Sequence, residues 1–283
     1  MSTGYTDNKV KKIAQIANPD RDDQVAGKRK DHGTWGYSCI GMFRSYQEIN
    51  EYFEKYGITE YMGKQKGGVH PGMLIYEDIC GAWDPAARRY DPTPDGIVDE
   101  NDMVQLSKFS SNPYGMTFNF GARWKSLSFS AQLGASWGAY SMVPSTIRKS
   151  SNAMTSETGN IPAFWKDMFV YEDVLDAQGN VIAKQNLDAT IPNFSYSAIN
   201  SVESTFWRID GTTVSLRNVS VAYELPKNWI KKAGISSCRL NLTCQNAINF
   251  VSPEYKGAWS SWGGNYGYYP NLRKYSLGLN VSF

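Results

Sequence analysis

Hydrophobic and polar positions alternate most clearly at the end of the chain. Tyr275, Leu277, Leu279, Val281 and Phe283 alternate with Lys274, Ser276, Gly278, Asn280 and Ser282. A period of two over that length predicts a β-strand with one apolar and one polar face. Two further runs lie back to back. Met116, Phe118, Phe120, Ala122 and Trp124 are followed, after Lys125-Ser126, by Leu127, Phe129, Ala131, Leu133, Ala135 and Trp137. Long strands on either side of two residues predict a tight hairpin. Val219, Val221, Tyr223 and Leu225 mark a fourth strand, and Cys238, Leu240, Leu242 and Cys244 a fifth. A short strand is expected at 36–43. Ser45-Tyr-Gln-Glu48 has the form of a capping box, and Ile49, Tyr52, Phe53 and Tyr56 follow at helical spacing before Gly57. The spacing predicts an amphipathic helix over 45–56.

The fold class expected is therefore all-β, an antiparallel meander. Two regions divide it: 1–113, carrying helix 45–56 and an acidic Asp-Gly loop at 91–102, and 114–283, carrying strands at about 115–124, 127–137, 216–225, 238–250 and 273–283. Strands of about 9–11 residues can cross a bilayer at a tilt. Strands of a soluble sandwich alternate in the same way, so the connections discriminate. If Phe283 ends on the periplasmic side, then 226–237 and 125–126 are periplasmic, while 251–272, 138–203 and 57–113 are extracellular. Every short connection falls inside and every long one outside, the asymmetry of outer-membrane barrels.

Composition narrows this picture. Hydrophobic residues make up 41% of the 283 residues, yet no apolar run reaches the length of a membrane-spanning helix. A formal charge of +2 gives no field for nucleic acid, and no lysine-arginine block suggests a polybasic anchor. The opening Met1-Ser-Thr-Gly-Tyr-Thr-Asp-Asn-Lys9 is not a signal peptide, so an exported protein is expected to carry its signal upstream. Cys39, Cys80, Cys238 and Cys244 have no metal-ligand spacing. Cys238 and Cys244 share a strand face roughly 20 Å apart, too far to bridge. A Cys39–Cys80 bridge is compatible with an oxidising compartment.

Several runs resemble one family. They are Gly36-Tyr-Ser-Cys-Ile-Gly-Met-Phe-Arg-Ser-Tyr-Gln-Glu-Ile49, Pro71-Gly-Met-Leu-Ile-Tyr-Glu-Asp78, Asp95-Gly-Ile-Val-Asp-Glu-Asn-Asp102 and Asn112-Pro-Tyr-Gly-Met-Thr-Phe118. Leu216-Arg-Asn-Val-Ser-Val-Ala-Tyr-Glu-Leu-Pro226, Leu240-Asn-Leu-Thr-Cys-Gln-Asn246 and Ser276-Leu-Gly-Leu-Asn-Val-Ser-Phe283 complete them. In order and position they are similar to the C-terminal barrel region of SusC/RagA-type TonB-linked outer-membrane transporters. The resemblance implies a barrel of about 22 strands, closed by a plug and importing oligosaccharides or peptides with energy relayed by TonB. It also implies a SusD-like surface lipoprotein as a lid. Plug, TonB box and most of the barrel have no counterpart among these residues. A partial sheet cannot satisfy its open edges in lipid, so this chain alone is not expected to transport. Under this reading Phe118, Phe120, Leu133, Val221, Leu240, Leu279 and Val281 face outer-membrane lipid. The barrel-insertion machinery would read Phe283 as the assembly signal. The rival is a soluble, secreted β-sandwich that binds glycans through aromatic loops; a glycoside hydrolase is a more distant third.

Two features carry candidate chemistry. Asp91, Thr93, Asp95, Ile97 (through its carbonyl), Asp99 and Asp102 follow the spacing of a calcium loop, with Gly96 at the turn. The alternative is an acidic surface turn, since Asp-Gly turns without any metal. A structural Ca²⁺ is the only cofactor these residues suggest. Tyr255, Trp259, Trp262, Tyr266, Tyr268 and Tyr269 crowd one loop, and Trp165 another; such rings contact glycans, a lid protein or each other. Trp229, Ile230, Lys231 and Lys232 are expected in a periplasmic turn. No nucleophile elbow, zinc-protease motif or phosphate loop occurs, and His32 and His70 are the only histidines, so no enzymatic activity is expected.

Overall fold

A computed structural model of the chain describes residues 1–5, 33–87, 89–143, 145–148, 165, 167–251 and 272–283. Its main sheet has six strands: β1 Ser2–Tyr5, β2 Tyr114–Trp124, β3 Leu127–Trp137, β4 Thr213–Glu224, β5 Ser237–Val251 and β6 Lys274–Ser282. They lie side by side in chain order, every neighbour antiparallel. The alternation that defines β2 to β6 in the sequence is what lets each strand keep one face apolar throughout. β1 escapes sequence reading because Ser-Thr-Gly-Tyr has no apolar period. It pairs only with Tyr114 to Thr117, at one end of β2. Among the described residues this sheet is open, not a closed barrel.

Trp124 pairs directly with Leu127, so Lys125 and Ser126 alone make the turn. Lys125 sits at φ +52°, a left-handed conformation that costs a side-chain-bearing residue roughly 1 kcal/mol. The register slips between β3 and β4, where Gln132 opposes Asn218 but Leu133 opposes Leu216. Arg217 is the extra residue. This bulge reverses the phase of β4: Val214 and Leu216 share a face with Val219 and Val221, which strict alternation forbids.

By contact, the described residues form two compact units: Met1–Asp7, Ser111–Tyr140 and Asp210–Phe283 in one, Asn8–Ser110 and Ser141–Ile209 in the other. The second interleaves two stretches, which a linear division at 113/114 does not express. Its helix α1, Tyr46–Tyr56, buries Ile49, Tyr52 and Phe53 and ends at Gly57 in the left-handed region. Ser45 accepts the Glu48 N–H at 3.2 Å as N-cap. The return bond of the expected capping box is displaced by one residue: the Glu48 carboxylate takes the Arg44 N–H at 2.6 Å. The strand expected at 36–43 is two pieces. Thr34–Gly36 pairs with Val104–Ser107, and Cys39–Met42 with Leu74–Tyr76. One small pair, Glu60–Tyr61 with Ile97–Val98, is parallel.

The core of this unit is aromatic, and its hydroxyls are satisfied by backbone. Tyr61 donates to the Leu74 carbonyl at 2.6 Å and accepts the Tyr76 N–H at 2.9 Å. Tyr52 donates to the Tyr76 carbonyl at 2.6 Å. Asn200 joins the two stretches. It accepts the Leu74 N–H at 2.8 Å and donates to the carbonyls of Gly72 at 2.9 Å and Asn193 at 2.8 Å. Residues 138–203, expected as irregular loop, therefore supply core: Phe169, Phe194 and Ile199 are buried there.

Candidate functional site

The two faces of the six-stranded sheet differ in chemistry. Cross-strand register places the seven residues expected to face lipid on one of them. Phe118 opposes Leu133 and Phe120 opposes Ala131; Phe129 opposes Val221, and Val221 opposes Leu242. Leu240 opposes Leu279, and Cys238 opposes Val281. Side chains directly opposite on paired strands share a face, so these residues form one continuous apolar surface. It is uncovered at its outer strand: Tyr275, Leu277 and Leu279 are 68%, 73% and 62% exposed. Large exposed apolar patches mark interaction with a membrane or another protein. The β-sandwich alternative requires a second sheet against this face, and the remaining sheets among the described residues are two-stranded.

The opposite face is hydrogen-bonded across the strands. Gln132 donates to Asn119 at 3.1 Å and Asn218 to Gln132 at 3.4 Å. The hydroxyls of Ser136 and Thr213 lie 2.9 Å apart, those of Ser220 and Thr243 3.3 Å. Arg123 meets Glu224 at 2.9 Å. Asn112 braces one end, accepting the Ala139 N–H at 3.0 Å and donating to the Gly211 carbonyl at 2.7 Å. A face with polar partners within the sheet is suited to water, while the opposite face is mostly apolar.

The strand ends sort the connections. Tyr114, Trp137, Thr213 and Val251 occupy one end of the sheet, where the long connections leave. The turn at Lys125 and the connection 225–236 occupy the other. That connection is a helical turn, Lys227–Ile230, then Lys231–Ala233, closing at Gly234 in the left-handed region. Trp229 is exposed there. Phe283, also at this end beyond Ser282, is exposed too.

The acidic loop does not assemble as a calcium cage. Among the described residues no three His, Cys, Asp or Glu side chains gather where they could hold a metal ion. The carboxylates are used as loop staples instead. Asp102 is fully buried, accepting the Ile79 N–H at 2.7 Å, the Cys80 N–H at 3.1 Å and, on its other oxygen, the Asp99 N–H at 2.8 Å. Asp99 caps the following turn through the Asn101 N–H at 2.7 Å. Asp91 and Asp95 each accept an N–H two residues on, from Thr93 and Ile97. The Ile97 backbone lies in the parallel pair with Glu60–Tyr61. Gly96 is required at φ +81°, where a Cβ would lie 2.6 Å from the Gly57 carbonyl oxygen. Asp78 takes the Gly96 N–H at 2.7 Å, and burial holds its carboxyl above the usual range. The spacing that suits calcium equally suits a run of Asx turns, and the turns are what this sequence builds.

The other sequence candidates are dispersed. Tyr255, Trp259, Trp262, Tyr266, Tyr268, Tyr269 and His32 lie outside the described residues. Trp165 is buried against Phe194, ring centres 4.5 Å apart. His70 stacks on Tyr196 at 5.4 Å. All four cysteines are free thiols, so the Cys39–Cys80 bridge does not form. The Cys39 sulfur bonds the Gly41 carbonyl and the Cys80 sulfur that of Asn101. Burial pushes the Cys39 thiol up to about 11. Its thiolate population at pH 8 is then about a hundredfold below that of an ordinary thiol near 9. Iodoacetamide is expected to alkylate Cys39 correspondingly slowly, measured by mass spectrometry over time, until urea opens the unit. Fast labelling of the folded protein would contradict this environment.

Sequence reasoning missed Arg217 as a bulge, Asn200 as a hub and β1 as a strand. Only Arg217 left a signal, in the polar doublet Arg217-Asn218 that breaks alternation between Leu216 and Val219.

No family model matches the chain. Its sequence is 25% identical over 263 residues to TonB-dependent receptor P3 of Formosa agariphila, covering 87% of this chain and 22% of that receptor. Its fold is similar to a solved structure of the RagAB peptide transporter, with a TM-score of 0.54, 17% identity and coverage of 91% of this chain and 24% of that one. A structure of the RagAB peptide importer in a closed-closed state gives 0.53, 17%, 92% and 24%. The chain thus spans under a quarter of the length of each relative.

Proposed function

We propose that this chain is a sequence of the SusC/RagA-type TonB-dependent receptors of the outer membrane, and that its six-stranded sheet is a sector of an importer's barrel wall. The observation that carries this is the pair of unlike faces: one apolar and uncovered, the other hydrogen-bonded across the strands. Barrel strands turn apolar residues to lipid and polar ones to the lumen. Phe118, Phe120, Leu133, Val221, Leu240, Leu279 and Val281 then face lipid, and Asn119, Gln132 and Asn218 face the lumen. The long connections are extracellular, the Lys125 turn is periplasmic, and Phe283 ends at the periplasmic rim for the insertion machinery to recognise. Backbone groups left open at β1 and β6 pair with further strands that close the barrel of about 22.

The cargo is a peptide or an oligosaccharide, held at the extracellular face and released inward when TonB pulls on a plug. A SusD-like lipoprotein covers the long connections. Peptides are the first class to test, because the solved neighbours are peptide transporters. Cells with this gene deleted are expected to lose growth on a peptide digest as sole amino-acid source while retaining growth on free amino acids. Loss on an oligosaccharide mixture alone would assign the other cargo. Unchanged growth on both would refute the importer reading.

A further inference from the structure

We infer that Arg217 binds a carboxylate on the polar face of the sheet, that of the C-terminus of a peptide in transit; this rests on the importer reading above. The bulge re-aims this side chain. Arg217 and Asn218 both leave β4 toward the polar face, and the guanidinium lies back across β3 instead of following the strand. Gly134 is its seat. A Cβ at Gly134 would meet the Arg217 Nε at 2.9 Å, Cζ at 3.0 Å and Nη2 at 3.1 Å, so the planar group rests on bare backbone.

The groove beside this seat has a volume of about 380 Å³ and is bounded by Ser2, Asn112, Thr117, Ser136 and Arg217. None of its lining side chains is acidic. Within the sheet Arg217 gives one hydrogen bond, from Nε to the Ser215 hydroxyl at 3.3 Å. Among the described residues no carboxylate reaches it; Glu224 is taken by Arg123. Asn112 spends its amide on Ala139, Ser136 and Gly211, so it shapes the groove without competing for an anion. What remains is a fork of N–H donors over a glycine floor, beside hydroxyls. That geometry matches a carboxylate, which a guanidinium binds through two parallel hydrogen bonds and an ammonium does not.

The test uses the native host with variants introduced at the chromosomal gene, and uptake normalised to the protein present in the outer membrane. The probes are one labelled peptide without acidic side chains and its C-terminally amidated form. The unaltered protein is expected to take up the free acid about tenfold or more faster than the amide. Arg217→Ala is expected to abolish that preference, and Arg217→Lys to restore only part of it. Gly134→Ala, which keeps the charge but lifts the guanidinium, is expected to weaken the preference severalfold. Equal uptake of acid and amide by the unaltered protein, or equal slowing of both by Arg217→Ala, would overturn the carboxylate site and leave the importer reading standing. Uptake of neither peptide, with transport of an oligosaccharide, would overturn both the peptide reading and this site.

Discussion

Leu242→Arg is expected to destabilise the membrane-inserted sheet by about 2–4 kcal/mol, while Thr243→Arg, one residue further on, costs less than about 1 kcal/mol. Leu242 lies mid-strand between Val221 and Leu277 on the apolar face. An arginine there must be carried into hydrocarbon with no partner. Thr243 opposes Ser220 and Ser276 on the polar face, and its hydroxyl meets that of Ser220 at 3.3 Å. There a guanidinium stays in water. The contrast amounts to about fivefold or more in the folding equilibrium. Urea titration of the complete barrel that carries this sheet, folded in liposomes, measures it, with the heat-sensitive mobility of the folded band as readout. Equal penalties, or a larger one for Thr243→Arg, would mean the apolar face does not meet lipid.

Asn200→Ala is expected to destabilise the second unit by about 2–3 kcal/mol. Asn200 is 1% exposed, and its amide satisfies the Leu74 N–H and the carbonyls of Gly72 and Asn193. Alanine leaves the Leu74 N–H without a partner, while the carbonyls of Gly72 and Asn193 each keep a backbone N–H, from Asn193 and Tyr196; a buried polar group left unpaired costs about 1–3 kcal/mol. Asn200→Asp keeps the acceptor but replaces two donors with a buried charge, so it is expected to be no better. Asn193→Ala at the partly exposed neighbour keeps the carbonyl that Asn200 uses and is the control. Pulsed proteolysis in urea, followed by fragments cut between residues 33 and 110, reports the loss. Protection unchanged from the parent protein would show that the two stretches are held together without Asn200.

The sheet was legible because one apolar and one polar face impose alternation along most of five long strands, from Tyr114–Trp124 to Lys274–Ser282. Where that pressure lapses, reading stops. Ser2–Tyr5 is a strand because of its neighbour, not its pattern. The fourth strand begins at Thr213, three residues before its expected start at 216, because the Arg217 bulge makes the phase of Val214 and Leu216 look wrong. Helix Tyr46–Tyr56 was legible from its cap and its apolar spacing, both local. The aromatic core of the second unit was not, because it depends on partners more than a hundred residues away. The acidic loop misled because oxygen donors at alternate positions serve an ion or a chain of turns equally well. Arg217 over Gly134 could not be foreseen, since a register slip decides which face a side chain takes.

The interleaving of the second unit has a consequence for the order of events during biogenesis. The Leu74 N–H waits for Asn200, 126 residues later, and the Cys39 N–H for the Thr205 hydroxyl, 166 later. Contacts at such separations close slowly, and the chain ahead of them stays exposed meanwhile. Tyr37, Phe43, Tyr61 and Tyr76 therefore emerge from the ribosome well before residues that help bury them. A ribosome stalled before residue 200 would release a chain whose aromatic half lacks the residues it closes on.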